Sequence, residues 1–357
     1  MFQESDRYLH QTIVFMLLLF FVVAFSGCSE KPSEEKLQNT EVVFYNWKDF
    51  TDLSILDDFQ KETGIKVVLK EYETRDMCIA QLQTNPELCD VLILDTYNIP
   101  YLKKQKLVRE FDSTKIPNLK YVNENVKLRL AAEDVYMPPY VTGANGFMIN
   151  TNYVPAETNS WQVFGESKYK NKIMLLDDLR EAVSVVLGMT NLSINEKDPE
   201  KFKMVQQNAL SLKTNGVSFG ETFTNIDKML TGEKWIAQTY NGDFVYKTKG
   251  RTEFKFIFPK EGFLKWIVTF ALHSDAKNSE GAHKFVDYML RPEIAARSAA
   301  TFFYQTPING STKYMPADLG SNEIINPPEN VLARGEMARD LGESTTQFQK
   351  FFNMMKQ

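Results

Sequence analysis

The sequence predicts an α/β protein of two lobes, each built around β-strands covered by helices. Three observations carry this expectation. Val42 to Tyr72 reads VVFYNWKDFTDLSILDDFQKETGIKVVLKEY, a strand, a helix and a second strand at the spacing of a βαβ unit, which requires parallel strands. The same alternation restarts with the apolar run Ile173 to Leu176 and the helical pattern that follows it. At 357 residues the chain is too long for one ordinary core, so two lobes are the default.

The N-terminus comes first. Ile13 to Phe25 is an unbroken apolar run of thirteen residues, short for a bilayer span and the right size for the apolar region of a signal peptide. It ends Phe25-Ser26-Gly27-Cys28, small residues before a cysteine, as in a bacterial lipobox. Residues 1–27 are therefore expected to be a lipoprotein signal peptide, with Cys28 lipidated as the mature N-terminus. Phe25 departs from the aliphatic usual there, and Cys28 is also compatible with an ordinary signal cleaved nearby. Residues 28–39, polar and charged, read as a tether.

In the first βαβ unit, Thr51 or Asp52 can cap the helix, and Leu53, Leu56 and Phe59 recur along it. Gly64 stands where a helix C′ residue belongs. The first strand ends in Trp47, Asp49 and Phe50. In open α/β sheets ligands bind beyond the carboxyl ends of strands, so a ring and a carboxylate there suit a cationic, partly apolar solute. Thr74 to Leu82 reads as a helix, and Val91 to Leu94 as a buried strand ending in Asp95-Thr96-Tyr97. Val135 to Pro139 and Gly146 to Asn150 flank a crossing near Tyr140. Asp177 or Asp178 caps the helix after Ile173 to Leu176, with Glu181 in its first turn, where the helix dipole favours a carboxylate.

Trp235 to Thr239, Phe254 to Phe258 and Trp266 to Leu272 read as further strands. Ser279 to Leu290 is an amphipathic helix with Ala282, Phe285, Val286 and Met289 on one face. Arg291-Pro292 opens another, since proline is tolerated in a first helical turn. The tail is polar until the aromatic-rich stretch Phe348 to Met355.

Composition excludes several function classes. Hydrophobic residues make up 43 % and charged residues 24 %, with a formal net charge of −5 and no basic run interleaved with aromatics, which argues against a nucleic-acid partner. No phosphate loop, nucleophile elbow or zinc-protease motif occurs, so neither an enzyme nor a bound cofactor is expected. His273 and His283 lack metal-ligand spacing. Cys78 and Cys89 form no CxxC; a disulfide between them and two small buried thiols are both compatible with the spacing.

The ordered set FYNWKDF…FQKETGIKVV, DVLILDTY, MPPYVTGANGFMIN, LLDDLREA, YNGD, PKEGFLKW and AKNSEGAHKFVDYMLRPE resembles the polyamine-binding proteins of ABC importers, the PotD/PotF type, over residues 40–310. The resemblance implies a two-lobed type II periplasmic binding protein fold, each lobe a mixed sheet flanked by helices, with a hinge and an interlobe ligand cleft. Lobe one would comprise residues 40–144 and 268–312, lobe two residues 145–267 and 313–357. It implies a monomeric, extracytoplasmic binding protein, anchored to the membrane through Cys28. Its ligand would be spermidine or putrescine, delivered to permease and ATPase subunits on separate chains.

By the same resemblance the aromatic box would be Trp47, Phe50, Tyr97, Tyr240, Trp266 and Tyr304, and the acids Asp49, Asp178 and Glu181. The chemistry is apt: aromatic walls cover methylenes and attract ammoniums, and carboxylates pair the charged ends. On the residues alone, other readings stay open. Trp47 and Trp266 also suit a plain core, Phe50 can pack on the helix after it, and Asp178 and Glu181 can serve only as helix-start residues. This chain departs from the family pattern in three places. Val268 stands where an aspartate is usual, Ala338 where a glutamine is frequent, and Lys48 where a small hydroxyl residue is common. Asp95 stands where serine is frequent, either replacing the lost charge or capping the helix from Asn98. These departures leave room for another organic cation, thiamine-like for example, or for a surface lipoprotein that binds other proteins.

Overall fold

The computed structural model describes residues 40–132 and 137–356, and Glu41 onward packs as one compact unit. The signal peptide, the tether, Cys28 and the beginning of the expected Val135 strand lie outside the described residues. Among the described residues no helix is long and apolar enough to cross a membrane.

The first βαβ unit folds as expected. Strands β1 (Glu41–Trp47) and β2 (Lys66–Tyr72) pair in parallel from Glu41 with Lys66 to Trp47 with Tyr72. Between them lies helix α1 (Leu53–Thr63), capped by Asp52, whose carboxylate accepts from the Ser54 N–H at 2.9 Å. Gly64 ends it with φ of +75° and donates to the Gln60 carbonyl, a left-handed conformation that glycine adopts at little cost. Its apolar face differs from the periodicity by one position. Ile55, Leu56 and Phe59 are buried, whereas Leu53, in the opening turn, is 62 % exposed.

Helix α2 (Arg75–Thr84) is capped by the Thr74 hydroxyl, and strand β3 (Val91–Asp95) then pairs with β1 in parallel. The short strand β4 (Val108–Arg109) precedes a longer one, β5 (Pro139–Asn150). This is one continuous strand of 12 residues rather than two strands flanking a crossing. Strand β6 (Ile173–Leu176) leads into helix α3 (Leu179–Gly188), and β7 (Ser218–Gly220) lies parallel to β6. Then follow β8 (Ile236–Tyr240), β9 (Phe254–Ile257), β10 (Phe263–His273), helix α4 (Ser279–Met289), helix α5 (Pro292–Phe302), β11 (Gly335–Met337) and the C-terminal helix α6 (Thr345–Lys356). The strand order is β2-β1-β3-β10-β5-β8-β6-β7, with β4 and β11 beside β10 and β9 beside β5.

Two large hydrophobic cores sit on this sheet. One joins β1, β3 and α4, with Phe44, Phe59 and Phe270 each in ring contact with Phe285. The other joins β6, α3 and the tail, where Phe348 and Phe351 pack against Phe202 at 6.3 and 5.4 Å. Both cores draw on β5 and β10: Val141 and Phe270 belong to the first, Phe147 and Phe263 to the second. This is the two-lobed, mixed α/β architecture of type II periplasmic binding proteins.

Cys78 and Cys89 are buried free thiols, and burial pushes Cys78 up to about 12. His283 is a packing residue: its Nε2 accepts from the Asp112 N–H at 2.9 Å. No group of three or more metal-capable side chains occurs among the described residues.

Candidate ligand-binding cleft

Strand ends bring the expected residues together. β1 delivers Trp47, β3 delivers Asp95 and then Tyr97, β6 leads to Asp178 and Glu181, and β8 ends at Tyr240. Trp266 lies on β10, and Tyr304 follows α5. The rings form a connected chain. Trp47 meets Phe50 at 6.5 Å, Phe50 meets Tyr304 at 6.4 Å, Tyr304 meets Trp266 at 4.8 Å and Trp266 meets Tyr240 at 6.0 Å, all edge to face. The angles suit the quadrupoles of the rings. Tyr97 and Trp266 also pack on a small buried cluster of Ile194, Leu264 and Ala338.

Gly143 on β5 makes room for Trp266. A Cβ there would lie 2.3 Å from Cζ2 of the indole. Phe50 has a second role, stacking on Phe302 of α5 at 4.2 Å, so it props the wall from behind against a helix remote in sequence instead of the one that follows it.

The acids divide into two groups. Glu181 is buried; its Oε2 accepts from the Asn145 amide and its Oε1 from the Tyr240 hydroxyl at 3.2 Å. Burial, reinforced by the nearby Asp178 charge, pushes its carboxyl up to about 8, against the lowering effect of those hydrogen bonds. Asp178 is the N-cap of α3, accepting from the Arg180 and Glu181 N–H groups, and it is also half of an ion pair. Arg75 Nη1 lies 3.2 Å from Asp178 Oδ2, and Arg75 Nη2 lies 3.5 Å from Asp95 Oδ2. The guanidinium carbon sits 4.8 Å from the centre of the Tyr97 ring. Asp95 makes no side-chain capping bond to the turn after it, so the capping reading of this residue has no contact behind it. Burial raises its pKa, and Arg75 opposes the rise.

Asp49 does not join the cluster. Its backbone turns left-handed, with φ of +58°, and its side chain is exposed while its N–H donates to Glu71 Oε1 at 2.9 Å. Lys48 also points outward and pairs with Glu73 at 3.3 Å, so it brings no repulsion to the cleft.

Three contributors were missed in the sequence. Arg75 had one available signal, a cation in the first turn of a helix, where the dipole disfavours it. Asn145 orients Glu181 and, through its Oδ1, accepts from the Leu264 N–H. Asp243 accepts from the Tyr304 hydroxyl at 2.7 Å, and burial pushes its carboxyl up to about 6. The Asn145 and Asp243 contacts join residues distant in sequence, and no local pattern announces them. A separate cavity of about 120 Å³, lined by Asn123, Arg129, Thr142, Lys265, Gln305 and Glu329 among others, contains none of the ten expected ligand residues.

Residues 54–326 match the family described as bacterial extracellular solute-binding protein, more than half of the chain. The chain belongs to that family. This member is thus a solute-binding protein and not an enzyme. It is 28 % identical over 347 residues to spermidine/putrescine-binding periplasmic protein 1 of Haemophilus influenzae, covering 94 % of this chain and 96 % of the relative. It is 27 % identical to the spermidine/putrescine-binding periplasmic protein of Salmonella typhimurium, covering 89 % of this chain and 92 % of that one. Among solved structures, the PotD substrate-binding protein of Streptococcus pneumoniae superposes with a TM-score of 0.80 at 23 % identity, covering 89 % of this chain and 98 % of the other. The fold of this family member is therefore that of the PotD-type binding proteins.

Proposed function

We propose that this chain is the lipid-anchored, extracytoplasmic substrate-binding component of an ABC importer and that it takes a polyamine. The observation that carries the reading is the unbroken ring chain from Trp47 to Tyr240 beside the buried Glu181 and the half-buried acids Asp95 and Asp178. Rings cover methylenes and attract ammoniums at the same time, and a desolvated ammonium requires a carboxylate beside it. The names of the relatives supply the solute class.

The ligand-contacting set comprises Trp47, Tyr97, Tyr240, Trp266 and Tyr304 as walls, Asp95, Asp178 and Glu181 as acids, and Phe50 as a wall and its support. Asp49, exposed and turned away, is left out. The lobes divide at residues 40–144 with 268–312, and 145–267 with 313–357; the two large cores follow this division to within one residue, at Ala144 and Ile267, and Phe348, Phe351 and Met355 join the second, whereas Met315, Leu319 and Ile325 pack with Ala296, Ala299 and Phe303 of lobe one. Capture would proceed by closure of the lobes, with no covalent chemistry, and closure would strengthen the ammonium–carboxylate pairs by excluding water. Cys28 would hold the chain to the membrane, and separate permease and ATPase chains would receive the solute.

Thermal unfolding of the mature protein with putrescine, spermidine and non-amine cations tests this. A solute present at a hundredfold its Kd stabilises by about 2.7 kcal/mol. An amine-dependent rise in Tm, lost in Glu181→Ala and Trp266→Ala, is expected. The absence of a rise with any amine overturns the reading.

A further inference from the structure

Arg75 is already the kind of guest that the cleft is built to hold. Its guanidinium lies 4.8 Å over the Tyr97 ring, with Asp178 at 3.2 Å on one side and Asp95 at 3.5 Å on the other. A cation on a ring face between two carboxylates is the arrangement that an ammonium would adopt. Three side chains expected to bind ligand thus bind a side chain of this chain instead.

The helix does not account for the position. Arg75 opens α2, where the dipole repels a cation, and Thr74 already caps that end. What compensates is Asp95, 20 positions on, and Asp178, 103 positions on. The second of these links the two cores. The guanidinium is not saturated, because its buried Nε has no partner.

The charge balance of the cleft follows. Asp95 and Asp178 are engaged by Arg75. Glu181 and Asp243 make only neutral hydrogen bonds, Glu181 to Asn145 and Tyr240 and Asp243 to Tyr304 and Thr222, with no ion pair to either among the described residues. An incoming solute therefore finds fewer free carboxylates than the number of acids suggests. A third ammonium would have to sit against the guanidinium or expel it from two ion pairs at once.

We infer that Arg75 is a specificity-determining residue, a resident cation that fills one ammonium subsite and restricts the solute to a short diamine at the expense of a triamine. The inference rests on the amine reading above and adds the number of charges that the solute carries.

The test is calorimetric titration of putrescine and spermidine into the full mature protein and its Arg75→Ser and Arg75→Lys variants, each checked for folding by circular dichroism. The wild type is expected to prefer putrescine by about tenfold or more. Arg75→Ser should shift the putrescine-to-spermidine affinity ratio by about tenfold or more toward spermidine, as the vacated subsite accepts the extra ammonium. Arg75→Lys, which keeps a cation there, should keep the wild-type preference; it also carries the test if the serine variant does not fold. A wild-type preference for spermidine overturns the inference. So does amine binding whose ratio is unmoved by Arg75→Ser, or a spermidine gain that Arg75→Lys shares; in these cases the amine reading stands. If neither amine binds any of the three proteins, the amine reading fails and this inference fails with it.

Discussion

Val268 and Asp95 face each other across the antiparallel ladder between β10 and β3. Directly opposed residues point to the same face, with Cβ atoms roughly 4.5–5.5 Å apart. The position where the family resemblance leads one to expect an aspartate is thus aliphatic here, and its cross-strand neighbour carries the charge, held by Arg75 at 3.5 Å.

This pairing makes Val268→Asp a destabilising change. Val268 is 4 % exposed, and a second carboxylate opposite Asp95 adds like-charge repulsion to the cost of burial. The variant is expected to melt several degrees lower, and Asp95→Ser should restore much of the loss. A double-mutant cycle by thermal unfolding should give a coupling of about 1 kcal/mol or more. Additivity of the two changes would show that the positions do not sense each other.

Glu181 predicts the pH behaviour. Its carboxyl rises from 4.5 to about 8 in the fold, so between these values the unfolded chain has released a proton that the native state retains. The native state then binds more protons, and stability falls as pH rises through that interval. The contribution of Glu181 is complete below about pH 4.5 and is lost as pH climbs through about 8. Glu181→Gln should flatten this part of the stability profile. An ammonium beside Glu181 favours the charged form, so amine binding near pH 7 should release a proton. Calorimetry in buffers of different ionisation enthalpy reads that proton, and Glu181→Gln should abolish it.

Gly143 offers a way to move a wall without touching its surface. A methyl group there meets the Trp266 indole at 2.3 Å, closer than any stable contact, so the ring must shift. Gly143→Ala is expected to weaken amine binding about tenfold or more. Combined with Trp266→Ala, it should cost no further affinity, because the ring it displaces is gone. An additional loss in the double variant would assign Gly143 a role apart from Trp266.

The anchor is tested independently of the cleft. Lipidation at Cys28 predicts that the mature protein partitions into a detergent phase and that Cys28→Ser sends it to the aqueous phase. Unchanged partitioning would remove the anchor from the proposal.

Much of this fold was legible because its signals are local. Asp52 and Gly64 mark the two ends of one helix by capping chemistry alone, and Ala282, Phe285, Val286 and Met289 mark a buried face by spacing. Trp47, Tyr97 and Tyr240 were legible because they sit at or just beyond strand ends, whereas Trp266, inside β10, and Tyr304, after α5, were expected from the family resemblance alone. What escaped depended on the third dimension. Asp49 was expected inside, yet a left-handed turn at that one residue sends its carboxylate to solvent. Pro139–Asn150 resembled two segments, because Thr142, Gly143 and Gly146 weaken the strand pattern, yet tertiary pairing on both sides keeps it continuous. Arg75 was passed over because its partners are remote along the chain, and nothing in its neighbourhood names them.

The long strand has a mechanical consequence. Pro139–Ala144 pairs with β10, whereas Asn145–Asn150 pairs with β8 and β9, and β10 itself runs on past a register shift between Val268 and Thr269. Two ribbons therefore pass without interruption from one half of the molecule into the other. Relative motion of the halves must wind and unwind these ribbons while their ladder bonds persist, so the protein should recoil like a torsion spring instead of swinging freely on a pin.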